Sequence, residues 1–406
     1  MRKIVLILLL SSVILMGCWD RQDLEEFGYI VAMGIDLNDD NQHMDVTFQI
    51  ANPEAGETQT AGATDEPPSE IITITAPDFI VARDMVNSFI SREVVFTHMK
   101  VLVVSEELAR SDQLVDFIKP SIRDREFDRR LTFIVSKEKA SSFLRANNPT
   151  LETRPHKYFE MMKDRWRESG FIPEATMHDF LHRLEEDQGL FLAIYSTSEK
   201  EEGTDGNEAR FKAGEINKEG GNPVQSYGAA VIKKGKMIDS ITAEETRLSL
   251  MLRPYIEVGS MIATFQDPNE EDKHITVRIL NEKSPEISIN TDQDNPIIEV
   301  ILPIRLEVLA IKSEIDYIQD LRKQEELKNS IENQIKISAD HFIKKTQEQF
   351  KADPFHWSLI ARKNFFTIQQ YSNYDWMSKY PSAEVNVSVE VNIKGFGKQL
   401  SPLINR

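Results

Sequence analysis

The chain predicts a mixed α/β protein of several domains, each a β-sheet packed with helices. Three observations carry this. Short β-branched runs alternate with helically spaced apolar residues through the first half of the sequence. A long amphipathic segment free of Pro and Gly precedes a strictly alternating strand near the end. At 406 residues and 40% hydrophobic content, the chain can also bury more than one core.

The elements follow in order. Phe27 to Asp36 reads as a buried strand closed by a turn, and Met44, Val46, Phe48 and Ile50 alternate with polar residues as in a half-buried strand. Asn52 to Glu70 is rich in Pro, Gly, Thr and acid, and predicts a loop. Ile71 to Thr75 is a β-branched strand, and Asp78 to Ser91 places Phe79, Val86 and Phe89 at helical spacing. Further strands are expected at 99–104, 131–135 and 189–195, with helices around 112–119, 138–146 and 155–187. Between Ser196 and Pro223 the composition turns polar and glycine-punctuated, so a linker over 197–223 is expected to divide an N-terminal part, 18–196, from a C-terminal part, 224–406. Some of this segment, around Phe211, is expected to fold back onto a neighbour.

The C-terminal part opens with a hairpin, Ala229 to Ile232 and Met237 to Ile241, about a Lys233-Lys234-Gly235-Lys236 turn. Thr242-Ala243-Glu244-Glu245 has capping-box form: the Thr242 hydroxyl accepts from the Glu245 amide while the Glu245 carboxylate reaches back to the Thr242 amide. Glu244 and Arg247, three apart, suit a weak surface pair. Strands are predicted at 273–282, 285–290 and 296–309, and a helix over 313–350 with an apolar stripe including Leu321, Leu327, Ile331, Ile335 and Phe350. A helix of that span is ~57 Å long. Pro354 starts another helix, and Val385, Val387, Val389, Val391 and Ile393 mark a one-sided strand ending at Gly395.

The search for chemistry yields structural readings. No G-x-S-x-G elbow, Walker loop, dinucleotide fingerprint or H-E-x-x-H helix occurs. His178 and His182 are the one histidine pair at i, i+4, but no third metal ligand is evident and an exposed amphipathic helix explains them better. Asp124, Arg125, Glu126, Asp128, Arg129 and Arg130 alternate in sign as solvated ion pairs do. Among 66 acidic residues some pair meets the spacing of a glycosidase by chance, so carboxylates alone do not identify one. The expectation is a protein that is not an enzyme and requires neither cofactor nor metal.

The N-terminus is the most specific stretch. Arg2 and Lys3 precede an apolar run from Ile4 to Met16, too short to span a membrane and fitted to a secretory signal at 1–17. Leu15-Met16-Gly17-Cys18 resembles the lipobox of bacterial lipoproteins, and Cys18 is the sole cysteine. That resemblance implies diacylglycerol on the Cys18 thiol, cleavage between Gly17 and Cys18, and palmitate-type acyl chains as the anchor. Loss of Arg2 and Lys3 takes the formal charge from −18 to −20. Such a surface has no footprint for nucleic acid and is repelled by anionic headgroups, so the lipid must do the holding. With Cys18 modified no thiol remains for a disulfide. The tether before Phe27 is about eight residues, ~28 Å at most, which keeps the folded body near the bilayer. Trp19 suits the headgroup boundary or the domain surface equally.

Gly17-Cys18-Trp19-Asp20, Leu24 and Gly34-Ile35-Asp36 resemble the start of the Ger(x)C family, the lipoprotein C subunits of spore germinant receptors. Phe96 to Ala109 is similar to the family's central strand and following helix. Tyr227 to Val231 with Glu244-Glu245-Thr246-Arg247 resembles its second-domain opening, and Asp353-Pro354-Phe355 with Val385 to Gly395 its end. The resemblance implies three α/β domains, attachment to the outer face of the cytoplasmic membrane and the spore inner membrane, and two integral membrane partners, the A and B subunits. It implies support of assembly or signalling in a receptor for small nutrients, with the membrane-spanning subunits the better candidates for nutrient contact. The rival reading is a substrate-binding lipoprotein of a transporter, which needs two similar lobes, and the two halves show no internal repeat.

Overall fold

The computed structural model describes residues 26–40, 42–52, 67–186, 189–201 and 210–397. Nine strands form the first sheet: β1 (Phe27–Leu37), β2 (Met44–Ala51), β3 (Ser69–Ala76), β4 (Glu93–Val95), β5 (Val101–Ser105), β6 (Thr132–Ser136), β7 (Phe191–Thr197), β8 (Gln225–Lys233) and β9 (Lys236–Ile241). Their order is β3-β2-β1-β5-β6-β7-β8-β9, with β4 beside the first residues of β1. The centre, β1-β5-β6-β7, is parallel, and antiparallel strands complete both ends. Parallel neighbours need long crossovers. These carry helices α1 (Phe79–Asn87), α2 (Ala140–Ala146), α3 (Pro155–Ser169) and α4 (Met177–Glu186), with one-turn helices between α1 and α2. The expected helical stretch 155–187 is two helices, because Gly170 ends α3 in a left-handed conformation at φ 68° and Pro173 follows.

The segment 197–223, expected as a linker, joins β7 to β8, which are adjacent antiparallel strands. The first sheet therefore continues on both sides of it. Around Phe211 the chain does fold back: the Ala243 amide donates to the Phe211 carbonyl at 3.1 Å and the Ala213 amide to that of Tyr227 at 3.0 Å.

The second sheet holds β10 (Ser260–Gln266), β11 (His274–Leu280), β12 (Glu286–Asn290), β13 (Ile297–Ile311) and β14 (Glu384–Gly395). β13 pairs antiparallel with β12 through its first residues and with β11 through its last, while β14 lies parallel along it. Helix α5 (Ala243–Met251) packs against β8 and α6 (Leu321–Lys345); α6 covers this sheet, burying Leu327, Ile331, Ile335, Ala339, Phe342 and Ile343. The helix starts later than the predicted Ser313. The Asp320 carboxylate accepts from the Arg322 and Lys323 amides as an N-cap, and the Asp316 carboxylate closes a turn on the Ile318 and Gln319 amides. Leu321, placed on the apolar stripe from sequence, is 74% exposed at the first turn. Beyond Lys345 the helix widens into a π turn, Thr346–Phe350, where the Thr346 hydroxyl contacts the Ile343 carbonyl and the Tyr380 hydroxyl. Strand β10 was missed from sequence. Only Met261 on it is buried, so its alternation is weak.

Two cores result, and β7 and β8 separate them. Phe191, Ala193, Tyr195, Ala230 and Ile232 face the first core; Leu190, Leu192, Ala229, Val231 and Ile241 face the second. Successive side chains of a strand point to opposite faces, so residues 191–195 of β7 and 229–232 of β8 are apolar on both faces and hold the two cores together through one layer of backbone.

Candidate functional site

The stretches that matched a family pattern in the sequence converge on contacts between elements. Asp36, 1% exposed at the end of β1, accepts from the Ala140 and Ser141 amides at 2.6 and 3.0 Å, capping α2. Gly34 makes this approach feasible, since a Cβ there would meet the Ala140 Cβ at 3.1 Å and the Leu144 Cδ1 at 3.0 Å. The Gly34-Ile35-Asp36 motif thus seats a helix on the sheet.

The second group lies where α5 meets α3 and α6. Both halves of the Thr242–Glu245 capping box are present, the Thr242 amide donating to Glu245 at 3.0 Å and the Glu245 amide to the Thr242 hydroxyl at 3.2 Å. The remaining Glu245 oxygen accepts from Lys345 at 2.8 Å, and Glu244 accepts from the Ser338 hydroxyl at 2.8 Å. The acidic pair therefore fastens α5 to α6. Arg247 departs from the expected surface pairing with Glu244. It is 6% exposed, donates through Nε and Nη2 to the Ser169 carbonyl at 3.2 and 2.8 Å, and stacks over the Phe171 ring at 3.6 Å. That carbonyl ends α3, where the helix dipole favours a cation. Gly228, at φ 77°, donates to the Phe171 carbonyl at 3.0 Å, and a Cβ there would lie 2.3 Å from the Ile241 carbonyl oxygen. Sequence spacing alone missed the burial of Arg247; an Arg one turn past an acidic N-terminus, amid apolar neighbours, was the available signal.

The third group is Asp353-Pro354-Phe355. The fully buried Asp353 carboxylate accepts from the Phe355 amide at 2.7 Å, the Ser358 amide at 3.0 Å and Trp376 Nε1 at 3.3 Å. Burial pushes this carboxyl above its usual range, against the pull of those donors and of Arg183. Its own carbonyl accepts from the Leu190 amide at 3.1 Å, and a Cβ on Gly189 would stand 2.7 Å from it. The loop therefore locks the second core to the start of β7.

His178 and His182 share one face of α4 with ring centroids 6.1 Å apart, and among the described residues no group of three His, Cys, Asp or Glu side chains is placed to hold a metal. In the 124–130 loop, Glu126 pairs with Arg83 at 2.9 Å and Asp128 with Arg130 at 2.8 Å. Gly17, Cys18 and Trp19 lie outside the described residues. Among the described residues no helix is long and apolar enough to cross a membrane.

Two family models match in chain order: the spore germination protein N-terminal domain over residues 20–197, and the spore germination B3/GerAC-like C-terminal domain over 227–397. The chain belongs to the Ger(x)C family. Its relatives include spore germination protein KC of Bacillus subtilis (strain 168), 30% identical over 185 residues, a match spanning 45% of each chain. Spore germination protein B3 of the same organism is 21% identical across 94% of this chain and 95% of its own length. Among solved structures, the crystal structure of the GerBC protein superposes with a TM-score of 0.55 at 15% identity, over 92% of this chain and 100% of that one. The Ger(x)C fold of two sheets packed with helices is thus shared across a wide sequence distance.

Proposed function

We propose that this chain is the membrane-anchored C subunit of a spore nutrient germinant receptor. One observation carries the reading: both Ger(x)C domains match in order, over 20–197 and 227–397, directly behind the lipobox-like Leu15-Met16-Gly17-Cys18. In this reading the signal is cleaved between Gly17 and Cys18, and diacylglycerol on the Cys18 sulfur holds the chain to the outer face of the cytoplasmic membrane, in spores the inner membrane. The body then acts through integral membrane A and B subunits, supporting their assembly or signalling without catalysing a reaction. The motifs built for packing, Asp36 on α2, Arg247 on α3 and Glu245 on α6, suit a rigid scaffold better than a reaction centre. The transporter reading is weaker. Its two similar lobes have no counterpart in a nine-stranded sheet with a parallel centre beside a five-stranded sheet of different order.

Deleting the gene tests this. Spores are expected to lose the response only to nutrients served by the matching A and B subunits, while triggers that bypass nutrient receptors still work. Adjacent reading frames encoding two multispanning proteins support the receptor; an adjacent transport ATPase favours solute uptake. Unaltered responses to every nutrient, or cortex cleavage by the purified chain that is lost on changing one carboxylate, would overturn it.

A further inference from the structure

The parallel strands β1, β5 and β6 begin at one end of the first sheet, and β4 begins beside Phe27 at that same end. Three segments therefore lead to it: residues 88–92 entering β4, residues 119–131 entering β6, and the eight residues between Cys18 and Phe27.

The first of these completes an apolar stripe. Val81, Met85 and Phe89 stand four residues apart along α1 and the turn that extends it, and are 39%, 40% and 60% exposed. Residues at that spacing share one helix face. Phe79, Ala82 and Val86 are the buried side of α1, so the stripe is a second apolar face turned outward, where a surface helix normally carries polar residues.

The second segment is basic in a chain of net charge −18. Lys119 to Arg130 holds five basic and three acidic residues. It is fixed against α1: the buried Phe127 ring lies 5.5 Å from that of Phe79 and 6.0 Å from that of Phe96, and Glu126 pairs with Arg83 at 2.9 Å. Asp128 is held by Arg130 at 2.8 Å, and the Asp124 carboxylate accepts from the Glu126 amide at 2.8 Å. Arg123 and Arg125 are exposed and have no carboxylate partner among the described residues, and Ile122 beside them is 38% exposed.

An apolar stripe rimmed by unpaired arginines has the composition of an interfacial surface, where apolar side chains enter the boundary of headgroups and acyl chains while cations meet lipid phosphates. Its position agrees. A tether of eight residues reaches ~28 Å at most, so a lipid on Cys18 brings this end of the sheet to the bilayer. Exposed Asp84 and Glu93 on the same elements oppose anionic headgroups, which leaves the patch to orient a body that the lipid holds.

We propose that this end of the first sheet lies on the bilayer, with Val81, Met85, Phe89 and Ile122 entering the headgroup boundary and Arg123 and Arg125 meeting the phosphates of anionic lipids. The inference rests on the lipid-anchor reading and adds to it which surface faces the membrane.

The full chain, purified from a lipoprotein-processing host and reconstituted into vesicles, tests this. A bimane label on Phe89→Cys is compared with one on Asp39→Cys, an exposed position just past β1 at the opposite end of the sheet. Cys18 is the sole cysteine and is blocked by lipid in the anchor reading, so each label reports one site. In vesicles of phosphatidylcholine and phosphatidylglycerol doped with a nitroxide-labelled lipid, the label at 89 is expected to be quenched about threefold or more over that at 39, since an interfacial side chain sits ~5–10 Å deep. Met85→Cys, one turn earlier on the stripe, is expected to behave as position 89 does. Reversing charge with Arg123→Glu and Arg125→Glu together, or using phosphatidylcholine alone, is expected to reduce the quenching at 89 while the chain still floats with the vesicles. Equal quenching at 89 and 39 in a floating chain overturns the orientation, leaves the anchor reading standing and points the stripe to a protein partner. Quenching at 89 that ignores both the charge reversal and the lipid charge overturns the headgroup contact. A chain that does not float overturns the anchor reading, and this inference with it.

Discussion

The guanidinium of Arg247 stacks 3.6 Å from the centre of the Phe171 ring, and through this contact α5 of the second core grips the end of α3 in the first. The same guanidinium donates twice to the Ser169 carbonyl. The Phe171 ring in turn lies 4.5 Å from that of Tyr227, at the start of β8. A residue within the acidic motif thus serves as a rivet between two layers.

Arg247→Ala is expected to destabilise the protein by about 2–4 kcal/mol, from two charge-assisted hydrogen bonds and the ring contact. Arg247→Lys keeps the charge but loses the planar stack, and should fall between the two. Urea unfolding of the three proteins checks the order. Equal stability of Ala and wild type would remove the rivet.

Thr242→Ala removes the hydroxyl half of the capping box and is expected to cost about 0.5–2 kcal/mol. Germination should then fall only as far as folded protein falls, read by comparing abundance with nutrient response. Normal abundance with abolished response would assign the motif a direct signalling role.

Asp353 links stability to pH. With its folded pKa raised above the ordinary 3.8, the native chain keeps a proton that the unfolded chain has released. Stability contributed by this residue is therefore present below the unfolded value and is lost as pH rises from about 4 through the folded pKa. Asp353→Asn abolishes that slope, and it also sets an amide donor among three N–H donors, costing about 1–3 kcal/mol. Urea midpoints of the two proteins across acidic pH measure both effects. A wild-type slope retained in the Asn variant would assign the titration elsewhere.

Cys18→Ala removes the sulfur that would carry the lipid. The protein is expected to leave the membrane fraction or persist as uncleaved precursor, as fractionation and the mass of the chain report. A processed, active, fully membrane-bound variant would show that another feature anchors it.

Much of the fold was legible because it is written in short-range terms. Alternation over Met44–Ala51 and Glu384–Gly395 set strands, since a pleat turns neighbouring side chains to opposite faces. The Thr242–Glu245 box is readable because both its bonds close within one helical turn. Other features depended on partners far along the chain. Nothing near Arg247 announces that Ser169 and Phe171 will meet it, and the segment 197–223 looks like a linker because its polar composition is the same whether it joins domains or adjacent strands. The start of α6 turned on Asp320 capping the helix, whereas the stripe alone continued back toward Ser313. The burial of Arg253, 4% exposed and paired with Glu257, likewise became visible only in the folded chain. Sequence by itself determined most of the strands and helices, the family resemblance and the expected lipid attachment. Tertiary structure decided which polar groups are buried and what they hold, because burial comes from neighbours that only folding brings together.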